Sequence, residues 1–249
     1  MKPVALITGV AGGIGSATAR VFSEAGWIIV GVDRREVDQL EGVDQFIVAD
    51  ISDPDALQRI FEELNARHHR LDALVNNAAY QICKPLMQTT TEEWDAVMAS
   101  NIRSVFLSIK LGYPLLKQNG GSIVNVSSVH AVATSTNIAA YAASKGALLA
   151  LTRALALEFG PDQVRVNAVL PGAVDTPMLH AGLSRGHVEG DSIDKLVRGL
   201  GRKHVMGRVG RPEEIGKAIL FLADSQSSSF MTGQALIVDG GATARLSTE

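Results

Sequence analysis

Short runs of β-branched and aliphatic residues alternate along the chain with longer stretches whose apolar positions recur every three or four residues. The short runs fall at 4–8, 28–33, 46–50, 73–76, 122–127, 164–169 and 235–239. They are apolar on both faces, as in a strand covered by helices on either side. The longer stretches fall at 14–25, 55–67, 91–117, 139–159 and 212–223. Alternating strands and helices require right-handed crossovers and a parallel sheet. The pattern therefore predicts an α/β fold of the doubly wound type, with one seven-stranded parallel sheet flanked by helices. Residues 175–208 break the rhythm, carrying "GLSRGHVEG" and the glycines Gly182, Gly186, Gly190 and Gly199. A connection of that length predicts a lid or binding segment. Without an internal repeat, a low-complexity tract or a break in composition, residues 1–249 read as a single domain.

Bulk composition narrows the classes. Hydrophobic residues make up 46% of the chain and charged ones 20%, enough for a sizeable core. A net charge of -3 offers no field for nucleic acid or an acidic membrane surface. The opening "MKPVALITG" is too short an apolar run for a signal segment, and no window reaches a spanning length. The lone Cys83 rules out an internal disulfide, and the expectation is a cytoplasmic protein. No His, Cys or carboxylate cluster at ligand spacing suggests a metal.

The first strand runs into "TGVAGGIGSATA", which places Gly9, Gly12, Gly13, Ile14 and Gly15 between a strand and a helix. Glycines there permit a sharp turn and close approach of a pyrophosphate to the helix N-terminus. The spacing is G-x-x-x-G-x-G, and the strand–glycine–helix context is what makes it a nucleotide site. Eighteen residues after Gly15 the second strand ends at Asp33, where a carboxylate accepts ribose hydroxyls and repels a 2′-phosphate, favouring NAD. Arg34 and Arg35 follow and would favour a 2′-phosphate. Asp50 and Ile51 close the third strand, near the adenine, and "NNAA" brings Asn77, Ala78 and Ala79 to the cofactor at the end of the fourth.

"YAASK" puts Tyr141 and Lys145 on one face of a helix, at i and i+4. Ser128 lies thirteen residues earlier, and Asn101 falls inside the 91–117 stretch, where asparagine is a poor helix former. Each residue taken singly also fits a structural role. Together, and behind a cofactor turn, they resemble the short-chain dehydrogenase/reductase family in its short single-domain branch. "RVNAVLPGAVDT" and "GRVGRPEEIG" extend the match over nearly the whole chain, with Ala79 standing where the family most often has glycine.

The resemblance implies a doubly wound Rossmann fold and alcohol–ketone interconversion with NAD. Tyr141 would be the general base or acid, Lys145 would lower its pKa and bind the nicotinamide ribose, Ser128 would orient the substrate oxygen, and Asn101 would hold a water linking Lys145 to solvent. Pro171, Gly172, Val174 and Thr176 would grip the carboxamide. A homotetramer built on the long helices and the last strand is implied too.

Substrate groups are sought after "NNAA", after Ser128 and in the lid: Tyr80, Gln81, His130, Asn137, His180, Arg185 and His187, with Gln81, His130 and His180 as the principal contacts. Gln81 and His130 are similar to carboxylate contacts of 3-hydroxybutyrate dehydrogenases. Those enzymes, however, carry a lysine where this chain has Ile138, and Gly182 stands near the place of their lid glutamine. A sugar or polyol is therefore expected first, a hydroxy acid second and a 3-oxoacyl thioester third. A non-catalytic NAD-sensing protein is the alternative of a different class, and the intact Asn101, Ser128, Tyr141 and Lys145 set argues against it.

Overall fold

The computed structural model describes residues 1–183 and 190–244. In chain order the elements are β1 (Val4–Thr8), α1 (Gly13–Glu24), β2 (Ile28–Asp33), β3 (Gln45–Val48), α2 (Pro54–His68), β4 (Ala73–Asn76), α3 (Thr91–Met98), α4 (Ser104–Leu116), β5 (Ser122–Val126), α5 (Ala139–Phe159), β6 (Arg165–Pro171), α6 (Pro177–Leu183), α7 (Ile193–Gly201), α8 (Pro212–Ala223), α9 (Ser225–Ser228) and β7 (Ala235–Val238). The seven strands form one sheet in the order β3-β2-β1-β4-β5-β6-β7, parallel throughout. The chain winds outward from β1 to β3, then returns to lay β4 on the other side of β1. That reversal opens a crevice at the carboxyl ends of β1 and β4.

The unbroken apolar runs follow from burial on both faces. Val4 and Leu6 of β1 pack with Leu57, Ile60 and Leu64 of α2, Val105 and Ile109 of α4, and Leu148 of α5. Ala5 and Ile7, one residue out of phase, pack with Phe22 of α1 and Ile215, Ile219 and Leu222 of α8. Between the faces, Asn76 of β4 donates to Asn125 of β5 at 2.9 Å, and Asn125 donates to Thr152 of α5 at 2.9 Å. These buried amides satisfy one another and fix β4, β5 and α5 together, close to the site.

Two expectations change. The 91–117 stretch is not one helix: a π-helical segment, Ala99–Arg103, separates α3 from α4 and carries Asn101. The 175–208 connection holds two helices, α6 and α7, and Arg185 and His187 lie outside the described residues. No described helix is long and apolar enough to cross a membrane.

Candidate active site

A cleft of about 690 Å³ opens over the carboxyl ends of the strands. It collects Gly9, Gly12, Gly13, Ile14, Gly15, Asp33, Arg34, Asp50, Ile51, Asn77, Ala78, Ala79, Pro171, Gly172, Val174 and Thr176, together with Ser128, Tyr141 and Lys145. The glycine turn has no room for side chains. Gly9 has φ +68° and a Cβ there would lie 2.7 Å from the Ala78 Cα, while a Cβ at Gly15 would lie 2.1 Å from the Gly9 carbonyl oxygen. Asn77 holds the turn by donating to the carbonyls of Thr8 and Gly9 at 2.9 and 3.1 Å. Helix α1 begins at this turn with no side-chain cap and no acidic residue in its first turn, so its positive end faces the cleft uncompensated. A pyrophosphate fits that cradle.

At the end of β2 the buried Asp33 accepts from the Ala11 amide at 3.0 Å. Its other oxygen accepts from the Arg35 amide at 3.0 Å and Nε at 3.2 Å. Arg35, rather than Arg34, is thus the guanidinium that meets Asp33. It also lies over the glycine turn, with Nη2 3.9 Å from where a Gly12 Cβ would stand.

Helix α5 carries Tyr141 and Lys145 into the cleft, both buried. The Lys145 ammonium donates to the Val126 carbonyl at 2.7 Å and lies 5.4 Å from the centre of the Tyr141 ring. Ser128, at the end of β5, accepts from the His130 amide at 3.2 Å, and the His130 ring meets the Tyr141 ring edge-on with centroids 6.0 Å apart. Burial pushes the Tyr141 phenol up to about 12, offset in part by the Ser128 hydroxyl and reinforced by the nearby Cys83. Burial brings the Lys145 ammonium down to about 7. In the chain alone, then, desolvation is the dominant influence on the phenol.

The Asn101 side chain is fully engaged by protein groups. Its amide donates to the Tyr80 carbonyl and the Ser144 hydroxyl, both at 2.9 Å, and its oxygen accepts from the Tyr80 amide at 2.8 Å. Both N–H groups go to protein, so the side chain positions the loop after β4. The π segment explains the asparagine: an extra residue in the turn aims one polar side chain sideways out of the helix.

Comparison with known proteins bears on what this arrangement is. Residues 9–243 match a family model described as enoyl-(acyl carrier protein) reductase. A 3-oxoacyl-[acyl-carrier-protein] reductase of Thermotoga maritima is 35% identical, with 96% of each chain covered. A cyclopentanol dehydrogenase of a Comamonas species is 35% identical, with 97% of each covered. The chain is a short-chain dehydrogenase/reductase. Among solved structures, the ligand-free aldohexose dehydrogenase of Thermoplasma acidophilum superposes with a TM-score of 0.93 at 30% identity, covering 99% of this chain and 96% of that one. The family is one of oxidoreductases that use a nicotinamide dinucleotide, NAD or NADP.

The substrate end of this short-chain dehydrogenase/reductase differs from expectation, with Thr134, Ser135, Lys203 and His204 among its polar lining residues. Tyr80, Gln81 and His130 line the cleft, and Asn137 and His180 do not. His180 instead pairs with Asp175 at 2.7 Å, in an exposed contact. Asn137 occupies a left-handed turn, φ 62°, just before α5. The Gln81 amide is engaged by the Met178 carbonyl at 2.9 Å. Sequence reasoning missed Met178, Leu179 and Leu200 from the lid helices, and Ala242 and Thr243 beyond β7, all of which line the cleft. The lid's uneven periodicity hid the first three. The "DGG" turn was a possible signal for the last two: Asp239 accepts from the amides of Gly241 and Thr243 at 2.9 and 2.8 Å and folds that segment back.

Proposed function

We propose that the chain is an NAD-dependent dehydrogenase of a small hydroxylated substrate, of the diol, polyol or sugar class, that interconverts a secondary alcohol and a ketone. The observation that carries the reading is Ser128 and Tyr141 over a buried Lys145 in a cleft whose far end holds Asp33. Bound there, NAD supplies the hydride acceptor and a positively charged ring. The glycine turn and α1 would hold its pyrophosphate, Asp33 its adenosine ribose, and Pro171, Gly172, Val174 and Thr176 its carboxamide. Asp33 supports NAD over NADP, because a buried carboxylate repels a 2′-phosphate even with Arg35 beside it.

The chain's own residues do the proton chemistry. Ser128 hydrogen-bonds the substrate oxygen and orients it. Tyr141 takes the hydroxyl proton in oxidation and returns it in reduction. For that its pKa must fall from about 12. A unit charge at roughly 5 Å and an effective dielectric of about 20 is worth about 3 kcal/mol, or about two pKa units. Lys145 in its protonated form would supply one such charge and the positively charged nicotinamide ring a second.

Ile138 stands where 3-hydroxybutyrate dehydrogenases carry a lysine, so a hydroxy acid ranks lower, with Lys203 of the cleft wall as the cation such a substrate would use. A more apolar alcohol is a specific second reading, favoured by the Met178, Leu179, Leu200 and Ile138 wall and by the engaged Gln81. The 3-oxoacyl thioester reading rests on the resemblance to the Thermotoga protein. The complete Ser128, Tyr141 and Lys145 set weighs against a non-catalytic sensor. A homotetramer and a cytoplasmic location belong to the same proposal, the latter supported by the single cysteine.

The test follows NADH formation with diols, polyols, sugars, cyclic alcohols and hydroxy acids, with NADP in parallel. Turnover of a diol, polyol or sugar is expected with NAD, and Tyr141→Phe should lower kcat by about 10²–10⁴-fold while leaving dinucleotide affinity unchanged. Equal turnover by Tyr141→Phe would refute the assignment, and preference for NADP would refute the role given to Asp33.

A further inference from the structure

We propose that Gln81 is a positioning residue that latches α6 onto the loop after β4 and thereby sets the apolar wall of the substrate end. The inference rests on the dehydrogenase reading only for where the substrate lies. The Gln81 carboxamide Nε2 donates to the Met178 carbonyl at 2.9 Å, joining positions 97 residues apart. Met178 stands in the first turn of α6 and Gly182 one turn later on the same face. A Cβ at Gly182 would come within 3.3 Å of the Gln81 Nε2, a tighter fit than an ordinary contact. A bare backbone at Gly182 is therefore what lets the carboxamide lie against the helix.

The other end of the latch is anchored just as firmly. Tyr80, the preceding residue, is held through its amide and carbonyl by Asn101 at 2.8 and 2.9 Å. A continuous set of hydrogen bonds thus runs from the π segment through Tyr80 and Gln81 to Met178. The N–H spent on the helix backbone is not available to the substrate. It fixes where Met178 and Leu179 stand, and so acts on every substrate alike.

Gln81→Met keeps the length of the side chain and removes the donor. Hydrogen exchange of the backbone amides across 177–183, measured on the chain without ligands, should speed up about fivefold, the effect of losing one hydrogen bond that holds a local element. Dinucleotide affinity should stay within about twofold, and KM should rise about fivefold for a polyol and an unsubstituted cyclic alcohol alike, with little change in kcat. Gly182→Ala should also speed exchange there, although alanine is the better helix former. Unchanged exchange over α6 in both variants overturns the latch. So does a KM rise confined to substrates with a second polar group, which would make Gln81 a direct substrate contact. Failure to find any dehydrogenase substrate would leave the exchange comparison intact, so the two readings fail separately.

Discussion

Tyr141 and Lys145 are both moved toward neutrality by burial, and this gives the chain a measurable pH signature. Lys145 falls from 10.5 to about 7, so between those values the unfolded chain binds the proton and the native chain does not. Stability therefore rises with pH across roughly 7 to 10.5, and the cost of burying the ammonium is present in full below about 7. Tyr141 rises from 10.0 to about 12, so the native chain keeps its proton longer and stability falls again between roughly 10 and 12. Lys145→Met should accordingly raise Tm at pH 7, by about 2–4 °C for each kcal/mol relieved. The gain should shrink as pH approaches 10.5, while activity is lost. Thermal melts of both chains at pH 7 and pH 10 check this, and an equal gain at the two pH values would place the lysine's cost elsewhere. Tyr141, Lys145, Ser128 and Asp33 were legible in the sequence because chemistry fixes their types and spacing. The direction in which burial moves Tyr141 was not, because it depends on solvent exclusion by residues far apart in the chain.

The π segment at Ala99–Arg103 joins two helices that the periodicity reads as one. Its apolar repeat is nearly that of an α-helix, so only the misfit asparagine at 101 gave a hint. That residue satisfies the amide and carbonyl of Tyr80 and the hydroxyl of Ser144. Asn101→Ala should destabilise the chain by about 2 kcal/mol, since it strands buried polar groups as well as removing bonds. Asn101→Asp keeps the acceptor for the Tyr80 amide but turns a buried carboxylate oxygen toward the Tyr80 carbonyl, and should cost at least as much. Urea denaturation of the three chains ranks them, and an Asn101→Ala chain as stable as its parent would mean that the Tyr80 loop is held by other contacts. The strands show the complementary lesson. Their unbroken apolar runs predicted a sheet covered on both faces, and only their ends shifted, as for β6, which extends to Pro171. In the lid the reading was weakest. Helix α6 is short, and its position depends on Gln81, 97 residues away from Met178, a pairing that no local pattern announces.

At the scale of the molecule, two apolar cores on either face of the sheet account for most large side chains, and those left outside are informative. Leu157 on α5 is 82% exposed and Phe230, ahead of β7, is fully so, while Phe106 on α4 and Ile237 on β7 are also exposed. β7 is in addition an edge strand, with one side unpaired in the sheet. In the proposed assembly the exposed apolar groups of α4 and α5 and those about β7 would serve as two separate isologous surfaces, which together would generate a tetramer with 222 symmetry. This is the physical support for the proposed assembly. Sedimentation should give a particle of about four times the 26.4 kDa chain. Introducing charge at one surface only, with Leu157→Glu or Phe230→Glu, should halve that mass, because the other surface still pairs. Combining both substitutions should yield monomers. A parent chain that sediments as a monomer would sink the assembly, and in that case the exposed Leu157 and Phe230 would need a different partner.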